Sequence, residues 1–537
     1  MPDGAQRWWA LIAVAASVLV VGLDLTVLNL ALPVLARDLH ASTGDLQWFA
    51  SAYSLVLAAA LLPAGLLGDR FGRKKVLLAG LALFGASSAA CAYAGSSGAL
   101  IAARAFLGLG AAAILPLSLS ILPVFFTETE RPRAIAVILA ATFVGYPVGP
   151  LLGGWLLDNF WWGSVFLINV PVVVLALIAV AALMPESRAR QRPGLDLPGA
   201  LLSSLGLTGL TYGFIRAGQD GWGSAAALAA IAAGVVLLAV LVAWERQVSR
   251  RGAGQPLVEL ALFRSAGFTW GCILTTLVSF ALFGILFAMP QYFQDVRGLN
   301  ALGSGLRLLP MIGGMVAGML AATRLQNTRQ AWDGTPGRSP ALGAKSLVTS
   351  GFVVMAAALA AGAFTRIGSA TGFTATWFAL TGLGLGLALP TAMNAALSAL
   401  SPERSGTGSA LISAMRQVGA TIGVAILGTV LSSAYRSQVD AAGLPPAAAA
   451  AVRNGIAGGI AVSRQAASTA LLDSVRTAFV HALDVMLGVC GGIALGSALL
   501  ALAFLPRPTQ KAAPASGDTR VPSQIAGQAG GRENPGT

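Results

Sequence analysis

Predominantly apolar runs recur along the chain at 8–33, 46–67, 76–95, 98–122, 134–157, 163–184, 198–215, 224–244, 267–290, 300–321, 346–364, 370–396, 406–433 and 478–505, with polar segments between them. Each is close to the length of about twenty residues that carries a helix across roughly 30 Å of hydrocarbon. A helix satisfies its backbone hydrogen bonds internally, which lipid demands. The pattern therefore predicts an all-α polytopic membrane protein with fourteen transmembrane helices. The first run is too long for a secretory leader and lacks a small-residue cleavage site, so it is expected to remain as a span.

The runs repeat as a set. Gly108, Gly110 and Pro116 recur at a constant offset as Gly382, Gly384 and Pro390, and Gly145, Gly149 and Gly154 recur as Gly419, Gly423 and Gly428. The fourth and fifth runs are thus echoed by the twelfth and thirteenth, with the same direction of travel, as in two six-helix bundles related by an axis along the membrane normal. This divides the chain into a cytosolic N-terminus (1–7), an N-terminal bundle (8–184), a linker with extra helices 7 and 8 (185–245), a C-terminal bundle (246–505) and a tail (506–537). The tail, rich in Pro, Gly, Ser and Gln, reads as disordered and cytosolic. Segment 434–477 becomes a long outer loop whose alanine-rich part can form interfacial helix.

Composition agrees with this reading. Of 537 residues 56% are hydrophobic and only 10% charged, and the mean hydropathy is +0.76, which excludes an ordinary soluble protein. The net charge of +13 does not indicate nucleic acid, because the cations sit in short loops rather than on one amphipathic face. Most Lys and Arg fall in the loops on the N-terminal side, which places both termini in the cytosol. The dominance of arginine over lysine, together with abundant alanine, suggests a GC-rich bacterial genome, and the expected location is the bacterial cytoplasmic membrane. Cys91, Cys272 and Cys490 lie inside apolar runs and only His40 and His481 exist, so neither a disulfide framework nor a metal site is expected. No GxxxxGK[ST] loop for ATP and no nucleophile–base cluster is present; an enzyme and a cofactor are not expected, and a proton gradient is the simplest energy source.

Three stretches carry candidate chemistry. Between the second and third runs, GLLGDRFGRKKVL (Gly65 to Leu77) sets Arg70, Arg73, Lys74 and Lys75 beside the single acid Asp69, with Gly65 and Gly72 allowing a tight turn. Its spacing resembles the signature loop between helices 2 and 3 of major facilitator superfamily transporters. The resemblance implies the two-bundle fold of that superfamily and a cytosolic gate built from Gly65, Asp69, Arg70, Gly72 and Arg73. Simple topology also explains the cations, though not the acid.

Asp24 interrupts the first run, where an acid costs roughly 2.5 to 3.5 kcal/mol to insert and so usually faces a cavity. It is the first candidate for a carboxylate that loads and unloads protons; a structural ion pair is the alternative. Asp24, Thr26, Ala31, Leu32 and Pro33 resemble the first helix of the fourteen-helix drug:proton antiporter branch (EmrB/QacA-type). Arg104, in the fourth run, comes to a similar depth when counted at about 1.5 Å per residue, and a buried arginine would hold a nearby carboxylate ionised. Arg104 with Gly108 resembles the superfamily's helix 4 motif, to which proton transfer is ascribed, except that Leu107 replaces the usual glutamine.

In the fifth run Gly145, Gly149 and Gly153 form a small-residue face for close helix packing. With Pro150 and Gly154 this stretch resembles the motif associated with exporters of the superfamily. Polar or aromatic residues in otherwise smooth runs are candidate cavity lining: Asn29, Tyr53, Phe143, Tyr146, Gln291, Tyr292, Asn394 and Arg416. Together the resemblances imply a monomeric antiporter in the lipid bilayer that exchanges protons for a small amphipathic molecule, a hydrophobic or cationic drug or a secondary metabolite, and so confers resistance. A dedicated lipid or metabolite exporter, an uptake symporter of the same fold and a membrane receptor are the competing readings.

Overall fold

The computed structural model describes residues 4–506 except 121, 123–125, 128–129, 189–195, 252–256, 333–342 and 401–404. Helices stand at all fourteen predicted runs: α1 (Gly4–Asp38), α2 (Thr43–Phe71), α3 (Arg73–Ala92), α4 (Ser97–Ser120), α5 (Arg131–Asn159), α6 (Asn169–Leu183), α7 (Leu197–Asp220), α8 (Ala225–Arg251), α9 (Ala266–Gln291), α10 (Ala301–Trp332), α11 (Ala344–Gly362), α12 (Thr371–Ser398), α13 (Ser405–Gln438) and α14 (Thr469–Phe504). Twelve helices among the described residues are long and apolar enough to cross a membrane. The described residues form no strand. The tail beyond 506 lies outside the described residues.

Local chemistry sets the turns. Ser42 and Asp45 form a reciprocal capping box at the start of α2, satisfying two backbone N–H groups that the first turn would orphan. Gly72 ends α2 at φ +115°, a conformation open to glycine, and lets α3 begin one residue later. The α3 N-terminus then meets an acid, the Lys74 amide donating to Glu186 Oε1 at 3.1 Å, as the helix dipole favours.

Packing puts α1, α2 and α4 together in the N-terminal half, and α9, α12 and α13 in the C-terminal half. The halves meet along two seams, α2 on α13 and α5 on α10. Near the start of α2, Gln47 donates to the carbonyls of Val424 and Ala425 at 3.3 and 3.0 Å. Thr421 donates to Ser54 at 2.9 Å. At the end of α5, Asp158 receives the first amides of α10. The extra pair packs α8 on α7, and α7 lies against both α2 and α13. Leu228, Val235, Val236 and Val240 of α8 remain exposed, as a lipid-facing helix requires. In the segment between α13 and α14 two short helices, Pro446–Asn454 and Ile456–Gln465, fold back over the start of α2, where Thr43 donates to the Asn454 carbonyl at 2.8 Å.

Candidate functional site

The two isolated charges of the first and fourth runs meet. Arg104 Nη1 donates to Asp24 Oδ2 at 2.6 Å, and the two side chains are 1% and 2% exposed. The remaining faces of the guanidinium are held by α2: Nε donates to the Phe49 carbonyl at 3.1 Å, and the charge stands 4.8 Å over the Tyr53 ring. Phe49 and Tyr53 are one turn apart, so a single face of α2 grips the cation. Taking both charges out of water costs several kcal/mol per ion, which only near-ideal geometry and extra hydrogen bonds repay. The same balance makes the pair responsive. A proton on Asp24 cancels the attraction and releases Arg104 to its carbonyl and ring partners alone.

Close backbone approach builds this centre. A Cβ on Gly108 would collide with the Tyr53 carbonyl, so glycine lets α4 lie against α2 where Arg104 must reach across. Leu107 is fully buried; the side chain standing where the family motif carries glutamine is core packing.

The α5 glycines face α1 around the acid. Cβ atoms on Gly145, Gly149 and Gly153 would press on Gly22–Leu23, Thr26 and Val27 respectively. Gly154 points the other way, against Ala301 and Leu302 of α10. Pro150 is buried, and its carbonyl lies against Gly305 of α10. The motif thus forms one continuous contact between the acid-bearing helix and the opposite half.

In the loop, Arg73 pairs with Asp69 at 2.8 Å and donates to the Ser120 carbonyl at the end of α4 at 2.8 Å. Lys74 Nζ reaches the Ala181 carbonyl of α6 at 2.7 Å. Arg70 lies over its neighbour Phe71, and Gly65 makes ordinary contact with Pro116. These contacts stay within the N-terminal half.

The predicted cavity residues do not converge. Asn29 is buried and donates to the Leu25 carbonyl at 2.9 Å, its Oδ1 without a partner among the described residues. Gln291 folds back to Phe287 of its own helix. The Tyr292 hydroxyl donates to the Arg366 carbonyl at 2.9 Å, bracing the α11–α12 loop. Asn394 is exposed. Arg416 is half-buried, with a buried Nε lacking an acceptor among the described residues. The side chains of Phe143 and Tyr146 lie outside the described residues. A small apolar cleft instead opens between the halves, lined by Thr26, Pro150, Leu282, Leu286, Leu308 and Met311 with Ile312 and Met315. Thr26 follows Asp24 by two residues, about 200° around α1, so this one helix presents the acid on one side and a cleft-lining side chain on the other.

Two acids escaped the sequence reading. Asp158 binds across the α5–α10 seam. Asp295 is buried in the π-helical turn Tyr292–Val296 after α9, with Arg37 and Arg464 as the cations acting on it. Both stand beside the end of an apolar run, where hydropathy reads a loop; an acid flanked by aromatic and amide side chains was the one available signal for Asp295.

The sequence model of the Major Facilitator Superfamily matches residues 14–424. The Tetracenomycin C resistance and export protein of Streptomyces glaucescens is 32% identical over 97% of this chain and 94% of its own length. The Multidrug efflux pump LfrA of Mycolicibacterium smegmatis is 34% identical over 88% of this chain and 91% of its own. Among solved structures, a bacterial homolog to the human lysosomal transporter Spinster, inward-facing and unoccupied, superposes with a TM-score of 0.64 at 15% identity, covering 95% of this chain and 100% of that one. A D-xylose–proton symporter superposes with a TM-score of 0.57 at 13% identity, over 93% of this chain and 98% of that one. The structural likenesses speak to fold alone. With its helical halves, its loop signature and the family match over most of its length, the chain belongs to the Major Facilitator Superfamily.

Proposed function

We propose that this protein exports small amphipathic molecules, hydrophobic or cationic drugs or secondary metabolites, from the bacterial cytosol in exchange for protons. The observation that carries the reading is the buried Asp24–Arg104 pair, formed by a helix, α1, that also lines an apolar cleft between the two halves through Thr26. In this reading all fourteen long helices span the cytoplasmic membrane, both termini are cytosolic, and one chain holds the whole pathway. No cofactor or ATP takes part.

The conformation described reads as inward-facing. The outer ends of the halves are joined through Asp158, Gln47 and the Gln294 amide, which donates to the Leu30 carbonyl at 2.8 Å, while the Asp69–Arg73 loop touches its own half. In this state Asp24 is ionised and held by Arg104, and an apolar substrate enters by widening the cleft between the halves. After the halves rock, a proton from outside neutralises Asp24, the pair loosens and substrate leaves outward. Return to the inward state delivers that proton to the cytosol, where Arg104 recaptures the carboxylate. Electrical and chemical work are thus exchanged at one residue pair.

The α5 glycines favour export over uptake, because the motif they resemble belongs to exporters. The relatives named as resistance, export and efflux proteins support the same direction. Inside-out vesicles energised by respiration decide it: accumulation of ethidium under an inward-acid gradient supports export, whereas depletion of preloaded ethidium supports uptake.

A further inference from the structure

Away from the ion pair, two acids meet at the ends of α7 and α8 that face the cytosol in the proposed orientation. Asp196 caps α7: its Oδ1 accepts the Gly199 amide at 2.9 Å and the Trp244 indole N–H at 2.9 Å. Glu245 is the first residue beyond the apolar run 224–244. It is 1% exposed, and its Oε1 accepts the Val258 amide at 3.3 Å.

The other two oxygens, Asp196 Oδ2 and Glu245 Oε2, are buried and have no donor among the described residues. They belong to carboxyls within hydrogen-bonding reach of each other. Both crowd Gly199, where a Cβ would stand 2.5 Å from Asp196 Oδ2 and 3.0 Å from Glu245 Oε1. Asp196 is the one titratable group facing Glu245 among the described residues; Trp244, Leu257 and Val258 supply neutral donors. No cation is ion-paired with either acid among the described residues.

Two ionised carboxylates in this setting would repel each other across a dry gap with two unsatisfied acceptors. One proton removes both penalties, because it turns one acceptor into a donor for the other. We propose that Asp196 and Glu245 hold one proton between them, as a second proton-binding site that senses cytosolic pH independently of Asp24.

The site is wired to the moving parts. Val258, held by Glu245, leads within a few residues into the 3₁₀ turn Leu260–Arg264. Leu262 of that turn is buried with Phe268 and Cys272 of α9 and with Leu411 and Ile412 of α13. At the other side α7 packs on the α2–α13 seam. When the proton leaves, repulsion drives Glu245 from Asp196 and loosens its hold on Val258, so an alkaline cytosol frees the C-terminal half from the extra helix pair.

The test uses the purified full chain and needs no substrate. A proton bound in the fold but not in the unfolded chain makes stability fall as pH rises. Thermal unfolding of wild type is followed between about pH 5.5 and 8.5, the range that separates a shared carboxyl proton from ordinary carboxylates, beside Glu245→Gln and Asp196→Asn. Either amide donates the hydrogen bond permanently. The expected result is a downward slope in wild type that flattens in both variants, with loss of protonated-carboxyl infrared absorbance at neutral pH. That loss must also appear when Glu245→Gln is placed on an Asp24→Asn background. Equal slopes and unchanged infrared absorbance in either folded variant would overturn the proposal, whatever the chain transports.

Discussion

Asp158 on the last turn of α5 caps the first turn of α10 at Ala301: its carboxylate accepts the Ala301 and Leu302 amides at 2.9 and 3.1 Å and the Asn300 side-chain amide at 2.8 Å. An acid of one half thereby closes the orphan donors of a helix in the other half. Losing such a cap costs about 0.5–2 kcal/mol. Because the cap exists only while these helix ends touch, Asp158→Ala should shift the balance several-fold toward the conformation in which they part. Spin-label distances between the ends of α5 and α10 measure this, and an unchanged distance distribution in the variant would count against the latch.

Arg104→Met should destabilise the protein far more than its size suggests. It strands Asp24 in an apolar surround, and breaking a buried pair from one side costs about 3–5 kcal/mol. Adding Asp24→Asn should return a large part of that loss. Thermal unfolding of the two single variants and the double variant gives the coupling; simple additivity would mean that the contact at 2.6 Å carries no energy.

Gly108→Ala and Gly98→Ala make a matched pair. The first would drive a methyl group into the Tyr53 carbonyl, whereas nothing lies within 4 Å of the second. Overpacking of this kind costs about 1–3 kcal/mol, so Gly108→Ala should lower the melting temperature and Gly98→Ala should leave it unchanged. Equal melting temperatures would show that α2 and α4 do not need this close approach.

Glu130, between α4 and α5, supplies a pH signature outside the membrane. Its carboxylate accepts the Thr127 hydroxyl at 3.0 Å and the Arg7 guanidinium at 2.9 and 2.8 Å. Thr127 foremost, then Arg7, holds it below the usual carboxylate range. A depressed folded-state value means stability that is present above the unfolded value and lost as pH falls through the folded one. Wild type should therefore exceed Glu130→Gln in stability at neutral pH. The gap should close as pH drops below about 4.3, the ordinary glutamate value. A gap that persists in acid would contradict this account.

The helices were legible because lipid forces apolar runs of a fixed length, and the structure places a helix at every run. Their ends were less so. The helix α8 continues past 244 to Arg251, and α14 begins at Thr469 rather than near 478, because a helix that leaves the membrane carries polar residues that hydropathy reads as loop. Asp24 and Arg104 stood out as lone charges in smooth runs, and matching their depths anticipated the pairing. The apolar cleft was invisible, since Leu282, Leu286, Leu308 and Met311 look like any lipid-facing or core residues. Asp196 and Glu245 could be joined only by knowing how α7 packs on α8.

The most direct test of the central claim is proton-driven ethidium transport in inside-out vesicles carrying wild type or Asp24→Asn, with and without a protonophore. Coupling through the Asp24–Arg104 pair predicts wild-type accumulation that the protonophore abolishes and that Asp24→Asn lacks while still binding ethidium. Full gradient-driven accumulation by Asp24→Asn would show that the proton is carried elsewhere.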